Sequence, residues 1–207
     1  MEPAFDIEEY LRSLSEDTEG INIDGKNLMY IPSLSKFVNL KIFSCSNNRL
    51  VKLPPLPETL VELYCDNNCL TSLPQLNKGL EILYCVFNKL LWLPCLPETL
   101  VELYCDDNYL TSLPQLNKGL EILSFQNNPI YNLICNGDND ILCEIRQKIQ
   151  ILYNFNEIYY SLKFKKQFRQ WLWVKVRECK IMNIYNPVRL LENLNDDTDL
   201  DEFLNNC

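Results

Sequence analysis

Between residues 40 and 130 the apolar residues return on a fixed schedule. Leu40, Leu60, Leu80, Leu100 and Leu120 each open a segment of the form LxxLxCxxNxL or a close variant, so five consecutive copies share one spacing at a 20-residue interval. An earlier, degenerate copy contains Ile21, Ile23, Leu28, Ile31 and Pro32. Within residues 60–66 the alternation has period two, which sends Leu63 and Cys65 inward and Glu62, Tyr64 and Asp66 outward and predicts a strand with one buried face. A unit this short cannot bury its apolar face alone, so the copies are expected to stack into a parallel sheet.

The polar positions keep the same register. Asn48, Asn68, Asn88, Asn108 and Asn128 follow the strands, where a side-chain amide can bond backbone groups left unpaired by a tight bend. Lys26 stands at that position in the first copy, and the turn bonding there is expected to be imperfect. Leu53-Pro54, Leu73-Pro74, Leu93-Pro94 and Leu113-Pro114 then return the chain in extended or polyproline-like form, since proline disfavours helix.

This pattern resembles a leucine-rich repeat over residues 18–135, and its 20-residue length and Leu-Pro-x-Leu segments are similar to the short repeats of bacterial secreted effectors. The resemblance implies an α/β fold, a solenoid with a concave parallel sheet and an extended convex side. A longer period lies over the short one. Residues 56–85 and 96–125 agree at 26 of 30 positions, differing only at 67/107, 69/109, 84/124 and 85/125.

The solenoid needs covers at both ends. Phe5, Ile7, Tyr10, Leu11 and Leu14 have helical spacing and predict an N-terminal cap, which sets domains at 1–17 (cap), 18–139 (solenoid) and 140–207 (helical module with an acidic tail). Pro129 breaks the repeat, and Asn136-Gly137-Asp138 reads as a turn. From Ile141 the period becomes helical through Ile145, Ile149 and Leu152, followed by an aromatic stripe of Phe164, Phe168, Trp171 and Leu172.

The outward strand positions carry the candidate site, because the fold does not dictate them. One column reads Ser44, Tyr64, Tyr84, Tyr104, Ser124. Beside it stand Glu62, Asp66, Glu102, Asp106 and Asp107, interrupted by Ile82, Val86 and Phe87 in the fourth copy. Tyrosine offers a binding surface large contact area at little entropic cost, although stacked tyrosines also stabilise neighbouring strands. The grouping of Ile82, Val86 and Phe87 favours binding of a protein partner, and the acidic flanks favour a basic one.

Composition narrows the function classes. The chain has a net charge of -9, ten cysteines and no histidine. Without histidine there is no Ser-His-Asp or Cys-His catalysis and no imidazole metal ligand. Cys45, Cys65, Cys85 and Cys105 occupy the small inward position, which Phe125 takes in the next copy, so they read as core and not as a metal or redox ladder. No catalytic residue, metal or cofactor is expected. Glu2, Asp6, Glu8 and Glu9 near the start give neither a signal nor a transit peptide, and no run spans a bilayer. Reduced thiols and a cytoplasmic location are therefore expected.

One basic segment departs from the acidic whole. Residues 161–180 hold seven basic residues against one acid, among them Lys163, Lys165, Lys166, Arg169, Lys175 and Arg177, whereas residues 191–207 hold six acids and no base. Interleaved aromatics make nucleic-acid binding conceivable there, but the acidic whole argues against it. Residues 168–178, continued by Lys180-Ile181-Met182 and Tyr185-Asn186-Pro187, resemble a C-terminal module on diverse proteins of mimivirus-like giant DNA viruses; Cys179 and Asn186 depart from its usual proline and histidine. That resemblance implies a viral protein of the host cytoplasm or the virion.

Bacterial effectors with similar repeats can carry a cysteine ubiquitin-ligase domain. Its Cys-x-Asp signature is missing, since Cys65-Asp66 and Cys105-Asp106 are adjacent pairs inside strands. The leading expectation is a non-enzymatic protein-binding platform. The alternatives are an adaptor for a separate ubiquitin ligase, a structural virion component, and a nucleic-acid binder acting through the basic helix.

Overall fold

Asp6 starts the chain's first helix by accepting hydrogen bonds from the Glu8 and Glu9 amides at 2.9 and 3.0 Å, satisfying two orphan donors of helix α1 (Ile7–Ser13). The helix buries Ile7 and Leu11 in the first coil of the solenoid, with Phe5, Tyr10 and Leu14 packed beside them. It is the N-terminal cover that the spacing predicts. The computed structural model describes residues 5–135 and 142–172, apart from the side chains of 155–161, 168, 171 and 172.

Six three-residue strands follow: β1 (Gly20–Asn22), β2 (Ile42–Ser44), β3 (Glu62–Tyr64), β4 (Ile82–Tyr84), β5 (Glu102–Tyr104) and β6 (Ile122–Ser124). They pair in sequence order, all parallel, in one sheet. Register is in phase with the repeat, so Glu62 faces Ile82 and Tyr64 faces Tyr84, and those pair in turn with Glu102 and Tyr104. The alternation therefore aligns every inward residue, and Leu63, Cys65, Leu83, Cys85, Leu103 and Cys105 are fully buried.

The asparagine column holds the turns. Asn88 donates through Nδ2 to the carbonyls of Cys65, Cys85 and Val86, and its Oδ1 accepts from the Leu70 amide of the preceding coil. Asn48, Asn68, Asn108 and Asn128 do the same in their coils. Lys26 cannot do this; its ammonium lies 5.3 Å over the Phe5 ring, while Gly25 makes the bend at φ 66.

On the convex side the Leu-Pro segments run without helix, as proline requires. A second ladder, which the 20-residue alignment does not reveal, closes that side. Thr59 Oγ1 and Thr99 Oγ1 donate to the carbonyls of Leu40 and Leu80, and in the alternate coils Asn77 and Asn117 donate to those of Leu60 and Leu100. The donors alternate, so the structural repeat is 40 residues long.

Helix α2 (Tyr131–Ile134) and the first turns of α3 (Leu142–Leu172) cover the last coil. Ile134, Ile145 and Ile149 are buried, Arg146 donates to the Leu120 carbonyl at 3.0 Å, and Lys148 donates to that of Ile134 at 2.7 Å. Packing continues across the compositional change at 140, and the compact unit extends to Tyr153, with a second unit from Asn154 onward. None of the described helices is long and apolar enough to cross a membrane.

Candidate functional site

Period two leaves three outward side chains on each central strand. They are Glu62, Tyr64 and Asp66 beside β3, Ile82, Tyr84 and Val86 beside β4, and Glu102, Tyr104 and Asp106 beside β5, in lateral register and all half-buried. The tyrosines form a continuous row. Ring centroids lie 5.1 Å apart between Tyr64 and Tyr84 and 4.2 Å apart between Tyr84 and Tyr104.

No cation among the described residues forms an ion pair with the acids around this row. Among the described residues the ion pairs are Arg12 with Glu8 and Lys41 with Glu19, both away from β3 to β5. Tyr64 instead donates its hydroxyl to Glu62 at 2.8 Å. Burial, that bond and the negative field of Glu62, Glu102 and Asp66 push the Tyr64 hydroxyl up to about 12. Tyr84 is raised too, first by its hydrogen bond with Tyr104 and then by burial.

Asp66 and Asp106 have structural work as well. Asp66 Oδ1 accepts from the Val86 amide at 2.7 Å, and Asp106 Oδ1 accepts from the Gln126 amide and the Ser124 hydroxyl. Asp24 does the same for the Ser46 amide and the Ser44 hydroxyl, and Ser46 Oγ accepts from the Asp66 amide. Val86 is the one residue between Asp24 and Asp106 in this column with no acceptor to offer. Desolvation raises the Asp66 carboxyl, although its hydrogen bonds with Val86 and Ser46 oppose the shift. The sequence signal for this staple was present, as an acid recurring at that position in every second copy.

Phe87 is exposed for a different reason from the one alternation supplies. Two consecutive residues cannot both face outward from a strand, and Phe87 lies in the turn at φ 53, the left-handed region that Asn47, Asn67, Asp107 and Asn127 occupy in the other coils. Asparagine and aspartate tolerate that region, whereas a bulky aromatic is strained there. Asn67 donates to Asn47 at 2.8 Å and Asn127 to Asp107 at 3.0 Å, so Phe87 also interrupts a ladder of turn side chains. It is 58% exposed, and the same coil exposes Leu91 and Trp92 where its neighbours carry Thr71, Thr111, Ser72 and Ser112. Leu91 and Trp92 escaped the sequence reading because they fall outside the strand columns.

The cysteine column is core. Cys65, Cys85 and Cys105 donate to the carbonyls of Tyr84, Tyr104 and Ser124, and burial raises all four thiols from Cys45 to Cys105 far above their ordinary value. Buried thiols so raised are neither nucleophiles nor ready metal ligands. Of the basic residues, Lys163, Lys165, Lys166 and Arg169 are exposed along α3, beside exposed Leu162 and Phe164. Lys175, Arg177 and most of the segment that carries the viral resemblance lie outside the described residues.

No family model and no curated protein matches the chain. Among solved structures it is similar to YopM from Yersinia enterocolitica WA-314, at 32% identity and a TM-score of 0.52 over 54% of this chain and 25% of that one. It is equally similar to the leucine-rich-repeat domain of a Shigella effector, at 32% identity and a TM-score of 0.52 over 59% of this chain and 54% of that one. The fold is a leucine-rich-repeat solenoid. The leucine-rich-repeat chain thus spans about a quarter of the Yersinia protein and about half of the Shigella domain. Its likeness to these effectors lies in the repeat architecture, which presents the tyrosine row on a concave sheet.

Proposed function

We propose that this chain is a non-enzymatic protein-binding platform that holds its partner on the concave face of β3 to β5. The observation that carries this reading is the composition of the fourth coil. Val86 gives up an acceptor that Asp24, Ser46, Asp66 and Asp106 possess, and Phe87 accepts a strained turn. Ile82, in a column that alternates Ile42, Glu62, Ile82, Glu102 and Ile122, adds apolar surface between the two glutamates. The first two choices are unfavourable for the isolated fold, and with Ile82 they build an apolar centre around Tyr84, the pattern of a binding hot spot inside a polar rim.

The effector domains to which the chain is similar support a binding role for the solenoid, while nothing in the raised, buried cysteines supports catalysis. The test compares proteins recovered from cell lysate by the wild-type chain with those recovered by Ile82→Ser/Tyr84→Ala. A partner held on this face is lost with the variant, and calorimetry on the purified pair gives a loss of about 2 kcal/mol or more, as for hot-spot residues. Unchanged affinity with an unchanged circular dichroism spectrum contradicts the reading.

A further inference from the structure

The three central strands present a repeating chemistry along the solenoid axis. Tyr64 stands between two carboxylates, Tyr84 between two aliphatic side chains, and Tyr104 between two carboxylates again. Parallel strands are about 4.8 Å apart, so the two acidic stations, on β3 and β5, recur at about 9.6 Å. We propose that the segment bound there is an extended, polyproline II-like stretch of a protein with a cationic side chain, arginine above all, at every third position. This rests on the concave platform reading and adds the chemistry of its occupant.

Three features lead to that chemistry. The first is charge. Neither lysine nor arginine occupies an outward position beside β3, β4 or β5, and Lys41, which precedes β2, is held by Glu19 at 3.1 Å. The negative charge of Glu62, Glu102, Asp66 and Asp106 is thus available to a cationic partner. Asp66 Oδ1 is committed to the Val86 amide and Asp106 Oδ1 to that of Gln126, which fixes both carboxylates in place while their second oxygens take no part in those bonds.

The second is the aromatic ring at each acidic station. A guanidinium is planar, lies against a tyrosine face through its positive charge and offers a fork of N–H donors to a carboxylate at the ring's edge. Tyr64 and Tyr104 each supply the ring, with Glu62 or Glu102 on one side and Asp66 or Asp106 on the other. Tyr84, flanked by Ile82 and Val86, presents the apolar surface between the stations.

The third is pitch. A polyproline II helix returns to the same face every three residues, after about 9.3 Å, close to the spacing of the acidic stations. A β-strand ligand returns every two residues, after about 6.8 Å, and falls out of step. An α-helix returns near the same face after three or four residues, about 4.5–6 Å, which is too short, or after seven, about 10.5 Å, which overshoots. Rows of aromatic rings are a recurring surface for polyproline II segments, whose preformed backbone has little entropy left to lose.

Fluorescence anisotropy with labelled synthetic peptides tests this. One peptide is four Pro-Pro-Arg units, the second its composition isomer with the four arginines adjacent, and the third an alanine-based helix with arginines seven residues apart. The expected result is that the first binds at least tenfold more tightly than the other two, and that Glu62→Gln/Glu102→Gln lowers its affinity at least tenfold with an unchanged circular dichroism spectrum. Equal binding of the two isomers reveals unspecific charge attraction and overturns the proposal, as does indifference to the double variant. Tighter binding of the helical peptide overturns the extended conformation. If no cationic peptide binds, the cationic occupant is wrong, while the platform reading is still decided separately by the Ile82→Ser/Tyr84→Ala comparison.

Discussion

Tyr84 stacks on Tyr104 with ring centroids 4.2 Å apart and planes inclined by 25°. The pair joins β4 to β5 on the solvent side of the sheet, while Leu83 and Leu103 join them on the core side. Since the core contacts persist without it, Tyr84→Ala should leave the fold intact. An aromatic pair contributes about 0.5–1.5 kcal/mol beyond its burial, so a loss of about 1–2 kcal/mol in urea unfolding is expected. Loss of the folded state altogether would mean that the tyrosine row is a structural spine.

Phe87→Asn should stabilise the protein. The substitution puts a residue that tolerates positive φ at φ 53, and it supplies the missing member between Asn67 and Asp107 in the turn ladder. Relief of left-handed strain amounts to roughly 1–2 kcal/mol, which should be visible as a higher urea midpoint with an unchanged m-value.

Stability should depend on Asp66 through pH. Its folded carboxyl is raised above the ordinary 3.8, chiefly by desolvation, so the folded protein binds the proton more readily than the unfolded chain does. The stability contributed by this site is fully present below the unfolded value and is lost as pH rises through the folded one. Asp66→Asn keeps an acceptor for the Val86 amide and removes the charge. Its melting temperature should exceed that of the wild type at pH 7, with the difference shrinking toward pH 4, and a difference that grows on acidification would reverse the assigned sign.

Thiol reactivity should divide by burial. Cys95 and Cys143 are exposed and should react with an aromatic disulfide reagent within the native state, whereas Cys45, Cys65, Cys85 and Cys105 should react only on unfolding. Rate measurements followed by peptide mapping check this. Fast native labelling at Cys85 would contradict its place in the core.

Much of this architecture was legible in the chain because period two and a 20-residue interval leave one register. Leu63 and Cys65 had to face inward, Asn68 had to serve the bend, and Ile145 and Ile149 had to meet the last coil. The concave columns followed from the same alternation. What escaped was physics with a 40-residue period or outside the strands. In the staple, Asp66 and Asp106 were visible only as surface acid and Asp24 was not singled out, and the Thr59 and Asn77 donors lay in stretches that show no strand or helix periodicity. Phe87 is exposed as expected, but through a turn at φ 53 and not through strand alternation, which ends one residue earlier.

The claim that the concave face of β3 to β5 is where a protein partner rests is tested most directly by hydroxyl-radical footprinting of the chain with and without that partner. Tyr64, Tyr84 and Tyr104 are half-buried on the face, and Phe164 on α3 is 66% exposed and serves as a comparator. Oxidation of the three tyrosines should fall severalfold in the complex while that of Phe164 is unchanged. Protection of Phe164 with undiminished oxidation of Tyr84 would contradict the account and assign binding to the basic helix.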